Sequence, residues 1–206
     1  MNGGVSKAAR ESELRRGTSL LLILIGIISL SADWPSPSPD KTATSASESL
    51  LPRKVVVSIS IVDRFFPEVT REASTGHNLT AVGKPEATRS VIYVNSDNSK
   101  KVTITVDRYT TASAASSAYE EAVQKSKIVP GFKPISVPNL DQNAFIGTVT
   151  QQGETHIGLG TLHGMLVLGA TLAGYDPTLE NAAKLISLTR EEERAAKAAL
   201  DANLEK

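Results

Sequence analysis

The sequence predicts an α+β domain: an antiparallel sheet of about five to six strands with two or three helices packed on one face. Two β-rich runs, residues 90–94 and 101–107, flank a cluster of turn-forming residues and indicate a hairpin. Three further β-rich runs between residues 144 and 172 are joined by glycine-containing turns, which is typical of an antiparallel meander. Helical periodicity before and after the meander completes the α+β pattern.

Residues 1–32 have the composition of a signal peptide or membrane anchor. A basic start leads into the apolar run 20–30, which is eleven residues long. A transmembrane helix needs about 20 apolar residues, so this length is closer to the core of a secretory signal. Small residues at 29–32 offer a cleavage site, and without cleavage residues 18–31 would remain as an anchor. The sequence therefore predicts an exported protein, periplasmic or extracellular, either released or anchored to the cytoplasmic membrane.

Residues 33–50 have the composition of a flexible linker. Three prolines alternate with serines, and small polar residues follow them. Such a segment buries too little apolar surface to offset the entropy lost on ordering, so we expect a disordered linker. Residues 51–206 are then expected to form a single α+β domain with a partly exposed C-terminal helix.

The composition excludes several kinds of site and partner. The chain has no cysteine, which removes a lipidated cysteine anchor, disulfides and thiolate metal ligands. Its 22 basic and 22 acidic residues give a formal net charge of zero, without the basic stripe of a nucleic-acid-binding protein. We therefore expect no nucleic-acid partner, and contact with the membrane only through residues 18–31 if the leader is uncleaved.

The first part of the domain is the least clear in its secondary structure. Residues 55–62 form an apolar, β-branched run that fits either a strand or a helix. A short helix is expected over residues 62–73. A loop is expected over residues 74–86, which contain two glycines and a proline.

Two longer helices have more definite signals. Apolar residues recur at helical spacing from residue 115 to residue 123, and a Pro-Gly pair ends that helix. At the C-terminal helix, Asp176 and Pro177 fit the N-cap and the first helical position. The pattern changes after Thr189 to charged residues and alanines. We therefore expect residues 189–204 to form an exposed extension that could mediate self-association.

Histidines near carboxylates are the candidates for catalysis. His156 has Glu154 two residues before it, and His77 lies in the predicted loop. A histidine within reach of an acid can act as a general base, so these three residues are the catalytic candidates. His156, His163 and Glu154 also have the composition of a two-His-one-carboxylate metal site. Because the two histidines differ in strand parity, we predict no metal site.

Glycines in the same stretch resemble a nucleotide-binding pattern only superficially. Gly158, Gly160 and Gly164 have the spacing GxGxxxG, and a β-rich run follows them. A phosphate-binding loop needs a helix N-terminus at that point, so we predict no cofactor. Glycines inside strands more often mark a bulge or close packing against a helix.

The order of the elements resembles that of small bacterial envelope domains. The hairpin is followed by a helix that opens with Tyr-Thr-Thr-Ala-Ser-Ala-Ala-Ser-Ser-Ala-Tyr at 109–119. The meander then ends in Gly-Tyr-Asp-Pro at 174–177, before the last helix. Over roughly residues 51–188 this pattern is similar to the extracytoplasmic sensor domains of mycobacterial serine/threonine kinases and to related small lipoproteins. The resemblance implies a non-enzymatic module that senses a ligand or a partner.

Two functions of different classes follow from these observations. The first is an exported, non-catalytic binding or sensing protein of the cell envelope, whose partner is an unknown envelope protein or a small ligand. Its binding surface would be the free sheet face or the loops at 76–86 and 139–143. The alternative is a small exported hydrolase that uses a His–carboxylate pair.

Overall fold

The computed structural model describes residues 51–79, 85–151 and 153–204. The predicted leader and linker lie outside the described residues. Within that part, no helix is long and apolar enough to cross a membrane. The elements in chain order are a 3-10 helix (Arg53–Val55), α1 (Ile59–Asp63), β1 (Arg71–Leu79), β2 (Ala87–Val94), β3 (Lys101–Arg108), α2 (Ala112–Lys127), β4 (Phe132–Pro134), β5 (Ala144–Gln151), β6 (Glu154–His163), β7 (Leu166–Ala173) and α3 (Leu179–Leu204).

The described strands form one antiparallel sheet with the order β1-β2-β3-β7-β6-β5-β4. The α+β class and the antiparallel sheet are therefore confirmed. The sheet has seven strands, more than the five to six expected, because the two edge strands β1 and β4 carry weak sequence signals. Residues 71–79 are strand where the sequence predicts a helix end and a loop, since they pair with the whole length of β2.

Helices cover both faces of the sheet, which corrects the prediction that they share one face. Along β7, Leu168, Ala170 and Leu172 belong to the larger core, which includes residues of α3. Val167 has the opposite parity along the strand and packs instead with α2. Because successive side chains of a strand point to opposite faces, α2 and α3 lie on opposite sides of β7. A strand buried on both faces needs no alternation of polar residues, and β7 has none.

Helix α2 packs through small side chains. The hydroxyl of Thr111 accepts a hydrogen bond from the backbone N of Ala114 at 3.1 Å and caps the helix. The strand register places Gly158 and Gly160 of β6 on the same side of the sheet as Val167, the side that α2 covers. Glycine allows the helix backbone to approach closely. This position agrees with the interpretation of these glycines as a helix-packing surface.

Helix α3 begins and ends differently from the expectation. The hydroxyl of Thr178 accepts a hydrogen bond from the backbone N of Asn181 at 3.2 Å, so Thr178 caps the helix in place of Asp176. The buried stripe of α3 continues beyond Thr189 through Glu192, Ala196 and Ala199. Residues 189–204 are therefore not the exposed extension that the sequence predicts, because their apolar side is used in the core.

Residues 51–57, here called the N-terminal segment, lie against α3. The segment is extended apart from its 3-10 turn, and Val55, Val56 and Val57 are buried. The guanidinium of Arg53 donates hydrogen bonds to Glu72 Oε2 at 2.5 Å and to the hydroxyl of Tyr93 at 3.1 Å. The predicted helix over residues 62–73 is shorter and earlier in the structure, where α1 covers five residues.

Candidate ligand-binding cleft

A partly open cleft with a cavity volume of about 70 Å³ lies between α3 and the loop that precedes β5, with β6 as its floor. Its apolar lining comes from all three parts, through Leu140 of the loop, Leu159 of β6 and Ile186 of α3. Its polar lining comes from the same three parts. A concave, partly apolar site with a few convergent polar groups is the usual form of a small-molecule site.

The floor of the cleft consists of alternate residues of β6. Leu159, Thr161 and His163 line it because residues two apart in a strand share one face. Thr161 is only 8% exposed, and its Oγ1 has no hydrogen-bond partner among the described residues. A buried hydroxyl without a partner costs about 1–3 kcal/mol. The structure therefore contains an unused hydrogen-bonding group on the floor of this cleft.

His163 and Glu193 form a pair at the end of the cleft. The Nδ1 of His163 lies 3.0 Å from Oε1 of Glu193, and the same carboxylate oxygen contacts Nζ of Lys197. Burial lowers the pKa of His163; Lys197 lowers it further, while Glu193 and Asp141 oppose the shift. The imidazole is therefore neutral at neutral pH. With Nδ1–H donated to Glu193, Nε2 is left as an acceptor.

The two walls of the cleft carry opposite fixed charges. Arg190 lies on the α3 wall, and no ion pair engages it in the described part of the chain. Asp141 lies on the loop wall, where its Oδ1 accepts a hydrogen bond from the backbone N of Asn143 at 2.9 Å. Glu193 is compensated by Lys197. Among the described residues, the cleft thus offers one cation and one carboxylate that no ion pair engages, on facing elements.

The structure does not bring the predicted catalytic candidates into this cleft. The Nε2 of His156 lies 3.7 Å from Oε2 of Glu154, beyond hydrogen-bond distance. His156 is on the opposite face of β6 from His163, as the parity of the strand requires. Burial lowers the pKa of His156, although Glu154 opposes the shift. His77 is on β1, which is separated from β6 by three strands, and its side chain lies outside the described part.

The pair missed by sequence reasoning is His163 with Glu193. His163 follows Leu159 and Thr161 at period two, which was visible in the sequence. Glu193 is 30 positions later on a helix whose docking face the sequence does not define. The predicted loop at 139–143 does contribute to the cleft, through Leu140 and Asp141. Among the described residues, no group of three His, Asp or Glu side chains is placed to hold a metal ion.

The free part of the sheet face is a second surface that the sequence suggested. On the side that α2 covers elsewhere, β2 and β3 present half-buried polar residues. The hydroxyls of Ser90 and Thr105 bond each other at 2.6 Å, and the hydroxyl of Thr88 donates to Asp107 Oδ1 at 2.6 Å. Because these groups already bond one another, this face offers less to a ligand than the cleft does.

Comparisons with known proteins extend to the fold alone. No protein-family model matches the chain, and no curated protein sequence matches it significantly. Among solved structures, the fold is similar to that of the extracellular domain of PknH from Mycobacterium tuberculosis, with a TM-score of 0.53 at 11% sequence identity. The similarity covers 77% of this chain and 98% of that domain. The resemblance to mycobacterial kinase sensor domains expected from element order is thus confirmed as a likeness of fold.

Proposed function

We propose that the protein is an exported, non-catalytic domain of the cell envelope that binds and senses a small ligand in the cleft. The observation that carries the proposal is the hydroxyl of Thr161, which is buried on the floor of the cleft without a partner in the described part of the chain. An unsatisfied buried group normally needs an explanation. A ligand that bonds this hydroxyl and covers the apolar walls would supply it.

Export and the envelope setting rest on two supports. The leader of the sequence has the length and order of a secretory signal. The similar fold is that of the extracellular domain of PknH. Together they favour a domain that works outside the cytoplasmic membrane.

A sensing role follows from the position of α3 between the cleft and the N-terminal segment. Arg190 and Glu193 face the cleft. Glu192, between them in sequence, accepts a hydrogen bond from the backbone N of Val57 at 2.9 Å. The N-terminal segment follows the predicted linker directly. A ligand that shifts α3 would therefore change the packing of the first residues after the linker.

A screen of small molecules by thermal unfolding of the full chain in detergent micelles tests ligand binding. Binding to the folded state raises the unfolding midpoint. We expect ligands of the cleft to raise it in the unmodified protein, and to lose most of that effect in Thr161→Val or Arg190→Gln. The matched controls are Thr171→Val, a buried threonine on the other sheet face, and Arg194→Gln, one turn away on α3. No stabilising compound, or equal shifts in all variants, would contradict a site in the cleft.

Localisation is tested separately by expressing the full chain in a bacterial host, and by measuring the mass and cellular fraction of the product. A species that begins near residue 32 in the periplasm or the medium would agree with a cleaved signal. A full-length species in the membrane fraction would agree with an anchor. A full-length species in the cytoplasm would contradict export.

A second candidate function is hydrolysis, which the pair of His163 and Glu193 favours. A neutral histidine oriented by a carboxylate at 3.0 Å is the arrangement of a general base. The test is hydrolysis of activated esters by the full chain, with His163→Asn compared with the control His156→Asn. Turnover that only His163→Asn abolishes would favour an enzyme. Background rates in all three proteins would exclude this hydrolysis and leave the binding proposal in place.

A further inference from the structure

We propose that the ligand of the cleft is a small zwitterion with a short apolar side chain, of the class of the apolar α-amino acids. This proposal rests on the proposed function, because it specifies the occupant of the same site. It is carried by the charges of the two facing walls, by the apolar lining between them and by the unpartnered hydroxyl on the floor.

The charges favour a ligand that carries both signs. Arg190 of α3 and Asp141 of the loop both line the cleft, and neither is engaged in an ion pair with the other or with another described residue. Glu193 is neutralised by Lys197, and His163 is neutral. A simple anion would face the carboxylate of Asp141, and a simple cation would face Arg190. A ligand with an ammonium and a carboxylate group can pair with both walls.

The uncharged part of the lining favours a ligand with an aliphatic side chain. Leu140, Ala144, Leu159 and Ile186 supply the apolar surface of the cleft. No aromatic residue of the described ranges lines it, so a sugar ring would find no stacking partner there. The cavity volume is about 70 Å³, far below the several hundred Å³ of pockets that take drug-sized ligands. These features fit one short branched side chain better than a long acyl chain or a saccharide.

The hydroxyl of Thr161 completes the recognition of the carboxylate. It is the floor group without a partner, and it lies on the same lining as Arg190. A hydroxyl donates one hydrogen bond to a carboxylate, and a guanidinium can donate two. In this arrangement Arg190 and Thr161 would hold the carboxylate, while Asp141 would accept from the ammonium group.

Isothermal titration calorimetry of the full chain in micelles tests the proposal with three matched probes. L-Leucine carries both charges, isocaproate lacks the amine, and isoamylamine lacks the carboxylate. We expect L-leucine to bind at least about tenfold more tightly than either analogue, since one charge-assisted hydrogen bond is worth that much. Arg190→Gln and Thr161→Val should each lower the affinity for L-leucine about tenfold. Asp141→Asn, which keeps an acceptor for Asn143, should remove the advantage of leucine over isocaproate.

The results separate this inference from the proposed function. If isocaproate or isoamylamine binds as tightly as leucine, and Thr161→Val weakens the binding of that analogue, the cleft binds ligands but the zwitterion proposal is wrong. If none of the three probes binds, the zwitterion proposal is also wrong, and the library screen alone decides the proposed function. If Arg194→Gln lowers the affinity for leucine as much as Arg190→Gln does, the role assigned to Arg190 is wrong.

Discussion

The carboxyl group of Glu192 joins the middle of α3 to the backbone N of Val57, 135 residues earlier in the chain, through a hydrogen bond of 2.9 Å. The backbone O of Val57 accepts a second bond, from the hydroxyl of Tyr93 on β2. Glu192 is 1% exposed, and its Oε1 has no partner among the described residues. Burial raises the pKa of Glu192 to about 8, against the opposing effects of Val57 and Arg53. This carboxyl group is therefore mostly protonated at neutral pH.

The raised pKa of Glu192 predicts a loss of stability as the pH rises. Between its ordinary value of 4.5 and about 8, the folded state binds a proton that the unfolded state releases. The stabilising effect of that proton is complete below pH 4.5 and is lost as the pH rises to about 8. Glu192→Gln removes the titration and keeps an acceptor for Val57. We expect its stability relative to the unmodified protein to increase by more than about 1 kcal/mol between pH 5 and pH 8.

Urea unfolding at several pH values measures this difference. Glu180→Gln is the control, because Glu180 is on the exposed first turn of the same helix. A constant difference between Glu192→Gln and the unmodified protein at all pH values would show that Glu192 titrates normally. Any pH dependence common to all three proteins arises from other groups, among them Asp107, whose pKa burial raises to about 6.

The unpartnered hydroxyl of Thr161 predicts a substitution that stabilises the ligand-free protein. Thr161→Val replaces the hydroxyl with a methyl group of similar size, and we expect a gain of up to about 1 kcal/mol in the free energy of unfolding. Thr88→Val is the contrasting variant, because it removes a donor from the buried carboxyl group of Asp107. It should cost about 1–3 kcal/mol. A loss of stability in Thr161→Val would show that its hydroxyl has a partner in solution.

Position 174 is expected to tolerate an added methyl group poorly. Its φ is +75°, and a Cβ there would lie 1.9 Å from the backbone O of Ser99. We expect Gly174→Ala to cost about 2–4 kcal/mol, from the left-handed backbone and from the clash. Gly153 has a φ of +84° and open space around it, so it tests the cost of the left-handed backbone without a clash. Gly153→Ala should therefore cost only about 1 kcal/mol. Chemical denaturation of both variants measures the difference, and equal losses would contradict the contact with Ser99.

The surroundings of His163 predict the direction in which its pKa is shifted. NMR of the imidazole should give a pKa below 6.5, because burial outweighs the nearby carboxylates. Glu193→Gln should lower this pKa further, since Glu193 favours the charged form, and Lys197→Met should raise it. His163→Asn identifies the resonance, which separates it from that of His156. An unchanged pKa in Glu193→Gln would show that the pair at 3.0 Å does not persist in solution.

The parts of the fold that could be predicted from sequence are those with local signals. Strand β3 alternates buried Val102, Ile104 and Val106 with more exposed residues, and this pattern needs no partner to be recognised. Strand β1 has the polar sequence REASTGHNL, and its strand structure comes from pairing with β2. Backbone pairing of that kind leaves no period in the sequence.

The cleft could not be predicted for a related reason. Its three parts come from the loop at 139–143, from β6 and from the middle of α3, and they meet only because α3 docks on one side of the sheet. The alternation of β6 placed Leu159, Thr161 and His163 together, but not the helix above them. The glycines at 158 and 160 marked a helix on the opposite face, which is α2.

We propose that the cleft is the ligand-binding site and that α3 links it to the N-terminal segment. The most direct test is amide NMR of the full chain in micelles, titrated with L-leucine. We expect the largest changes in chemical shift at the amides of Thr161, His163 and Arg190, with a smaller change at that of Val57. Changes confined to the polar face of β2 and β3, or no change at any amide, would contradict it.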